Sequence, residues 1–392
     1  PRLRVMRLIA RLNVGGPAIH TTLLTEKLDP TRFESELVAG SVGETEGDML
    51  ELMGDRDLKP TFIPSLGREI SPLNDLKTLK QVRQLMRKRN PHIVHTHTAK
   101  AGFIGRLAAR LNRVPITVHT FHGNVFSGYF SPAKTRLFIA IERFLARSTD
   151  RIIVLSEQQK NEILSLGIGR AEQYRIIPLG LNLTPFLQAH ELRGNLRQEL
   201  VIDAKTPLIG IVARLVPIKA IHFFLQAAAG VLRQHPDAVF LVVGDGETRA
   251  ELETQAKELG IERSVRFLGF RSDLPNIYAD LDCTVLCSLN EGLPVAVIEA
   301  LAAGRPVVAT DVGSVRNLIG DGEGGPAGYL VPSQDVEGLT RGIIKVLDEP
   351  ATAAAWGENG RKRVYPALDI GRLVTDIESL YDELLKEKGI LK

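Results

Sequence analysis

The chain of 392 residues is 44% hydrophobic and 24% charged, a composition that suits a globular protein with room for two domains. No apolar run approaches the ~18 residues a membrane-spanning helix needs, and neither a low-complexity tract nor a solenoid-length repeat is present. The net charge of +3 conceals a polarity: residues 1–185 carry 27 Lys+Arg against 17 Asp+Glu, a balance of +10, and the remainder carries 22 against 29, a balance of −7.

In chain order, a first strand is expected over Arg4–Ala10. The loop after it, Arg11-Leu12-Asn13-Val14-Gly15-Gly16-Pro17-Ala18, opens a helix, and paired glycines let backbone approach a phosphate closely. The third glycine of the dinucleotide fingerprint is missing. Strands follow over Glu34–Ala39, Ile93–His95, Ile116–His119, Arg151–Leu155 and Arg175–Ile177, with helices over Leu73–Arg89, Ala99–Leu111 and Pro132–Arg147 between them. This alternation predicts a parallel sheet with crossover helices. Within 76–149 stand 14 basic residues against one acidic residue, Glu142. Lys77, Lys80, Arg83, Arg87, Lys88 and Arg89 crowd one helix, a pattern that fits either a solvated face or an anionic partner. Four histidines, His95, His97, His119 and His122, fall near two strand ends. A metal site lacks the usual carboxylate company and spacing, so a polar wall that hydrogen-bonds a sugar is expected instead, and no metal. Asn124 follows, and Phe126, Tyr129 and Phe130 add apolar groups to the same loop.

A polar stretch near residues 182–205 separates this half from a second alternating half. Its strands are expected over Leu208–Ala213, Val239–Val243, Val265–Leu268, Cys283–Leu286 and Val307–Ala309. Domains are therefore drawn at 1–182 and 183–367, with the helix Ile370–Lys386, in residues 368–392, packing back on the first. Cys283 and Cys287, the two cysteines, sit too far apart along a strand for a disulfide and read as core. The first strand of this half delivers Arg214 and Lys219 to the loop before a helix, where two cations can neutralise a diphosphate or remain surface charges. Val243-Gly244-Asp245-Gly246-Glu247-Thr248-Arg249 begins like the fingerprint but puts Arg249 where the third glycine belongs. The run Glu291-Gly292-Leu293-Pro294-Val295-Ala296-Val297-Ile298-Glu299 places Pro294 at a helix start and Gly304 past its end. Free N–H groups at Gly292 and Leu293 then make an anion-binding helix start, with Glu291 above it and Glu299 one turn on, or merely a capped helix with a solvated Glu. Two doubly wound domains place binding residues at strand carboxyl ends and a site in the cleft between them.

Assembled in this order, the segments resemble the family 4 retaining glycosyltransferases of the GT-B fold, in which two Rossmann-like doubly wound domains face each other across a cleft. The spacing of Glu291 to Glu299 with Gly-Leu-Pro inside it is the most specific feature. The resemblance implies that Arg214 and Lys219 hold the donor diphosphate and that Gly15 and Gly16 meet it from the other domain. It places Glu291 and His122 against the transferred sugar, with Gly292, Leu293 and Pro294 nearby. Glu299 then binds the ribose, Phe270 and Arg271 receive the base, and Gly244 and Gly246 line the donor side. His95, His97 and Asn124 face the acceptor. Members commonly carry Gly after the phosphate-binding Lys, where this chain has Ala220.

The implied reaction moves a hexose-type sugar from a nucleotide diphosphate sugar, UDP favoured over GDP, to a lipid-linked or glycan acceptor in cell-surface polysaccharide or glycolipid synthesis. No metal or cofactor is expected, since two cations and helix starts stabilise the leaving group. Asp55-Arg56-Asp57 and Asp280-Leu281-Asp282 match a metal-binding Asp-x-Asp in letters but sit outside the right strand-end setting. A nucleotide-sugar epimerase or hydrolase of the same fold, and a non-catalytic nucleotide-sugar-binding protein, are the alternatives. An anionic membrane surface is an expected partner of the basic half, and nucleic acid is not. The charged opening residues argue against a signal peptide, so a cytoplasmic place, peripheral at the inner membrane face, is expected.

Overall fold

A computed structural model describes residues 2–13, 15–42, 58–67, 71–122, 132–322 and 324–391. Asp55-Arg56-Asp57, Asn124, Phe126, Tyr129 and Phe130 lie outside the described residues. The chain divides into two compact units, Pro1–Leu181 with Leu368–Lys392, and Asn182–Ala367.

In the first unit, β1 (Leu3–Ile9), β2 (Phe33–Ala39), β3 (Thr61–Phe62), β4 (Ile93–His97), β5 (Ile116–Thr120), β6 (Arg151–Val154) and β7 (Tyr174–Ile176) form one sheet in the order β3-β2-β1-β4-β5-β6-β7. Every pairing is parallel. Both faces are covered, which is why β1 reads as an apolar run apart from Arg4 and Arg7. Helices α1 (Gly16–Lys27), α2 (Pro72–Arg89), α3 (Ala99–Leu111), α4 (Pro132–Ala146) and α5 (Glu157–Ser165) connect the strands. Val82 and Met86 of α2 and Ile104 and Ala108 of α3 pack on Met6, Leu8 and Val94. The C-terminal helix, Ile370–Glu387, repeats Leu373, Ile377, Leu380, Tyr381 and Leu384 at helical spacing and packs that stripe on Val5, Ile93, Val118 and Ile153. Arg7 is buried on the same face, where its guanidinium donates to Ser35, Thr25 and, at 3.4 Å, to the Tyr381 hydroxyl.

In the second unit, β8 (Leu208–Val212), β9 (Val239–Val243), β10 (Val265–Gly269), β11 (Cys283–Leu286), β12 (Val307–Thr310) and β13 (Gly328–Val331) form a parallel sheet in the order β10-β9-β8-β11-β12-β13. The helices α6 (Ile221–Val231), α7 (Arg249–Glu258), α8 (Leu274–Asp280), α9 (Val295–Ala302), α10 (Val336–Asp348) and α11 (Pro350–Val364) cover it. Cys283 and Cys287 are free thiols in its core, beside Ile209, Val285 and Phe240, and Trp356 of α11 lies in the same core.

Two strands went unexpected. The edge strand β3 is two residues long, and β13 follows a glycine-rich segment that reads as loop. Gly328 opens β13 because a Cβ there would meet the Val307 carbonyl at 2.2 Å. Strand order reverses between β1 and β4 in one sheet and between β8 and β11 in the other. Doubly wound sheets bind ligands at the carboxyl ends beside such reversals.

Candidate functional site

The loops after β8 and β11 flank the reversal in the second sheet, so Arg214, Lys219 and Glu291 are brought to one place by topology. Lys219 Nζ donates to Glu291 Oε1 at 2.5 Å, and Ser288 Oγ donates to the same oxygen at 2.6 Å. The Glu291 side chain is almost fully buried and that of Lys219 is one-fifth exposed. Arg214 is exposed, and its guanidinium takes part in no hydrogen bond or ion pair among the described residues. One cation is thus fixed by a carboxylate, while the other is uncommitted among the described residues. Ala220, after Lys219, has φ 49° and ψ 39°, a left-handed conformation that explains why glycine suits this position. The buried Cys287 thiol donates to the carbonyls of Lys219 and Ala220 at 3.3 Å each, which ties the loop to β11.

The Glu291–Gly292 turn is held from beneath. Gly313, at φ 55°, lies so close that a Cβ there would meet the Glu291 carbonyl at 1.7 Å, and Ser314 Oγ donates to the Gly292 carbonyl at 2.5 Å. Gly292 is exposed with nothing within 4 Å of where its Cβ would stand. Leu293 is half-buried, and Pro294 is the N-cap of α9, with no side chain capping that helix and no acidic residue in its first turn. The helix start therefore keeps its N–H groups and dipole for an anion.

Glu299, on α9, points at Tyr278 of α8. The tyrosine hydroxyl lies 3.0 Å from the Ala296 carbonyl and 3.3 Å from Glu299 Oε2. A hydroxyl has one proton, and the nearer carbonyl takes it. The second contact is then best satisfied by a protonated Glu299 that donates to the tyrosine oxygen. Burial pushes the Glu299 carboxyl up to about 8, in agreement with that assignment.

Several expected donor contacts fall elsewhere. Gly244 and Gly246 have φ of 132° and 158°, and Cβ atoms there would meet the carbonyls of Ala213 and Leu215 at 1.9 and 2.3 Å. Their Cβ side is filled by the Arg214 loop, which they support from below. Arg271 is also committed: it forks onto Glu199 at 2.6 and 2.9 Å and onto Asp273 at 2.7 and 2.8 Å. The guanidinium binds its own unit rather than waiting for a base. Phe270 beside it is 52% exposed and leaves a flat face open. Asp280 and Asp282 accept from the backbones of Gly194, Arg197 and Leu208 and pair with the Arg197 guanidinium, so they are structural.

In the first unit the loop after β1 ends with Gly15 as N-cap of α1, no side chain caps the helix, and Gly16 has open space where a Cβ would stand. The histidines behave otherwise than expected. Strand β4 runs on through His97, and alternation puts His95 and His97 on one face, both fully buried. His95 Nδ1 lies 2.7 Å from the Tyr381 hydroxyl and its Nε2 lies 2.7 Å from Thr120 Oγ1. With both nitrogens engaged inside the unit, His95 does not face an acceptor. His97 stacks on it at 4.3 Å between centroids, and its Nδ1 lies 2.9 Å from Nε2 of the half-buried His122. His20 of α1 completes the group edge-on, 4.9 Å from His122 and 5.7 Å from His97. Desolvation pulls His122 down to about 4 and lowers His20, His95 and His97 well below the usual histidine range, so all four are neutral at pH 7.

His20, Tyr278, Ser288, Gly313 and Ser314 were not anticipated. His20 carries a signal in retrospect, as a polar side chain four residues past Gly16 on a helix that starts at a strand end. Gly313-Ser314 follows β12 in the same way. An arginine-rich cavity of about 800 Å³, lined by Arg110, Arg113, Arg147, Arg151 and Arg175, opens instead by the amino ends of β5, β6 and β7, opposite the end where such sheets bind substrates.

Two parallel, doubly wound sheets in one chain, each with polar groups gathered at its reversal point, define the GT-B architecture. The chain belongs to the glycosyltransferase family with that fold: the family model for glycosyl transferases group 1 matches residues 193–363, and that for the glycosyl transferase 4-like domain matches residues 15–180. It is 29% identical over 367 residues to the Escherichia coli UDP-Gal:alpha-D-GlcNAc-diphosphoundecaprenol alpha-1,3-galactosyltransferase, over 93% of this chain and 92% of that protein. The Staphylococcus aureus capsular polysaccharide biosynthesis glycosyltransferase CapM is 27% identical over 82% of this chain and 84% of its own length. The crystal structure of Anabaena Alr3699/HepE in complex with UDP superposes with a TM-score of 0.78 at 22% identity, over 98% of this chain and all of that one, which establishes the shared fold.

Proposed function

We propose that this glycosyltransferase moves a hexose-type sugar from a UDP-sugar to a lipid-linked or glycan acceptor, with retention and without a metal ion in the transfer step, in cell-surface polysaccharide or glycolipid synthesis. The observation that carries the reading is the Lys219–Glu291 pair at the reversal of the second sheet, with the uncommitted Arg214 on the same loop. Departure of a nucleoside diphosphate develops negative charge, and a preorganised Lys219, an available Arg214 and the uncapped start of α9 answer it. Glu291, held by Lys219 and Ser288, keeps its other oxygen for a sugar hydroxyl, and Glu299 with Tyr278 is assigned to the ribose. Glu291 and Glu299 share one turn and one helix, an arrangement unlike two carboxylates flanking a sugar. A front-face displacement, with the departing phosphate taking the acceptor's proton, is therefore the step we assign.

The UDP preference and the lipid-linked acceptor are supported by the activity of the Escherichia coli relative and by UDP in the Anabaena structure. Among the described residues no helix is long and apolar enough to cross a membrane. A peripheral place at the inner membrane face is supported by α2, whose exposed Leu73, Leu76, Lys77, Lys80, Arg87 and Lys88 turn outward. The deciding experiment incubates the chain with UDP- and GDP-hexoses and undecaprenyl-diphosphate-linked sugars in excess EDTA, and reads the anomeric configuration of the product by NMR. Transfer with retention from a UDP-hexose is expected. Inversion, dependence on added manganese or magnesium, or donor turnover with no acceptor product would overturn the reading.

A further inference from the structure

The cavity of about 800 Å³ at the amino ends of β5, β6 and β7 has a charge surplus that the fold does not use. Seven basic side chains line it against four carboxylates. Each carboxylate is already taken. Arg151 and Arg175 hold Glu383 at 2.8 and 2.6 Å, and Arg151 also holds Glu387 at 2.5 Å. Lys388 pairs with Asp150 and Arg170 with Glu172, both at 2.7 Å. Three guanidinium groups are left. Arg113 and Arg147 are exposed, and their side chains take part in no hydrogen bond or ion pair among the described residues. Arg110 lies over the Phe144 ring, 5.1 Å from its centroid, with no carboxylate partner among those residues.

Arginines near helix carboxyl ends ordinarily bind the last carbonyls. Arg143 does so, donating to the Leu166 carbonyl at the end of α5. Arg110 and Arg113 stand at the end of α3 and Arg147 follows α4, yet none of the three side chains donates to a carbonyl among the described residues. Arg113 also holds φ at 54°, a left-handed conformation that costs an arginine more than a glycine or asparagine. Like charges gathered around one cavity repel, so the arrangement is unfavourable until an anion enters. We propose that this cavity binds a small polyanion built of phosphate groups, gripped by Arg110, Arg113 and Arg147. Guanidinium forks match phosphate oxygens in pairs, and a di- or triphosphate carries the charge that three cations require. A nucleotide fits less well, because among the described residues no aromatic ring lines the cavity to stack a base. The volume suits a small molecule. The site stands at the opposite end of the first sheet from His97 and His122, apart from the transfer step proposed above.

The test is calorimetry on the full chain at low ionic strength, with tripolyphosphate as the probe. Binding should survive Arg214→Ala, weaken with added salt, and fall by about 10-fold or more when Arg113→Gln is combined with Arg147→Gln. Lys77→Gln with Lys80→Gln, the same charge change on α2, should leave it unaltered, which separates a site from general attraction. Arg113→Gly is the further variant: it removes the charge while relieving the left-handed backbone, so binding should fall although the circular dichroism melt does not. Cosedimentation with phosphatidic acid vesicles distinguishes a lipid headgroup from a free anion as the source. Vesicle binding lost in the double arginine variant, with tripolyphosphate not bound, assigns the same site to the headgroup. Binding of both probes that is absent, or equal in the native chain and that variant, would overturn the proposal, as would tripolyphosphate binding lost only in Arg214→Ala. Sugar transfer does not enter the measurement, so this reading and the proposed function fail separately.

Discussion

Replacing Glu299 by Gln should stabilise the second unit at neutral pH while weakening its hold on a nucleotide. The folded carboxyl titrates at about 8 against an ordinary value of 4.5. Below the lower value both states are protonated and the group contributes nothing to the pH dependence. Between the two values the unfolded chain is ionised while the folded one keeps its proton, so the cost to stability grows with pH and levels off above the folded value. At pH 7 the unscreened cost is roughly 3 kcal/mol, at 1.36 kcal/mol per unit. Glu299 is only half-buried by surface area, and solvent screening reduces the expectation to about 1–2 kcal/mol. Gln keeps a donor for the Tyr278 oxygen and cannot ionise, so it removes the cost without opening a cavity. Trp356, the chain's one tryptophan, lies in the core of this unit, so its fluorescence in urea follows this unit's transition. With a slope of about 1–3 kcal/mol per molar urea, the midpoint of the variant should exceed that of the native chain by about 0.5–1 M at pH 8. The difference should shrink toward zero at pH 5. An equal midpoint at pH 8, or a gain that does not change with pH, would refute a protonated Glu299.

Other outcomes follow from the same geometry. Lys219→Ala and Arg214→Ala should each lower turnover by about 10²-fold or more. Adding Glu291→Gln to the lysine variant should cost less than the sum of the separate losses, because the carboxylate is no longer buried without its cation; strict additivity would deny that the pair acts as a unit. Ala220→Gly should raise the Trp356-monitored stability by up to about 1 kcal/mol, since the left-handed conformation penalises alanine more than glycine's added chain entropy costs; destabilisation would refute the strain. Cosedimentation with anionic vesicles should rise with acidic lipid and fall with salt, at about 1 kcal/mol per basic side chain, and Lys77→Glu with Lys80→Glu should abolish it. No binding to anionic vesicles at low salt would remove the membrane from the reading.

The parallel doubly wound fold was legible because buried central strands announce themselves as short β-branched runs between amphipathic helices. Val239–Val243 and Cys283–Leu286 match their expected limits, and Ala99–Leu111 matches among the helices. The misses have physical causes. β3 is too short to show a period, and β13 is a strand because its backbone pairs with β12, a tertiary fact with no local signature. Motif spacing singled out Arg214, Lys219 and Glu291; each sits on the loop where its strand ends, and topology makes the loops neighbours. Spacing did not tell open glycines from glycines pressed against protein. Gly16 and Gly292 have open space beside them, whereas Gly244 and Gly246 are pressed against carbonyls, and all four look alike in sequence. Arg271 misled for a related reason: its partner Glu199 lies 72 residues away in the chain.

The histidines show where local inconsistency carries information. Strands buried on both faces are normally apolar throughout, yet β4 and β5 contain His95, Thr96, His97, His119 and Thr120. Water cannot satisfy these groups, so the fold must do so laterally. His95 is answered by Tyr381 and Thr120, and His119 Nδ1 by Thr96 Oγ1 at 2.8 Å. His95 lies two residues before His97 in the strand, and with each further step toward the carboxyl end fewer internal partners remain. The unanswered nitrogens belong to His97, His122 and His20, the members of the cluster on the segments nearest the reversal of the first sheet. A polar core that is satisfied at its base and unsatisfied toward its binding end is better explained by a bound partner than by packing, since packing alone would favour apolar side chains at the same positions.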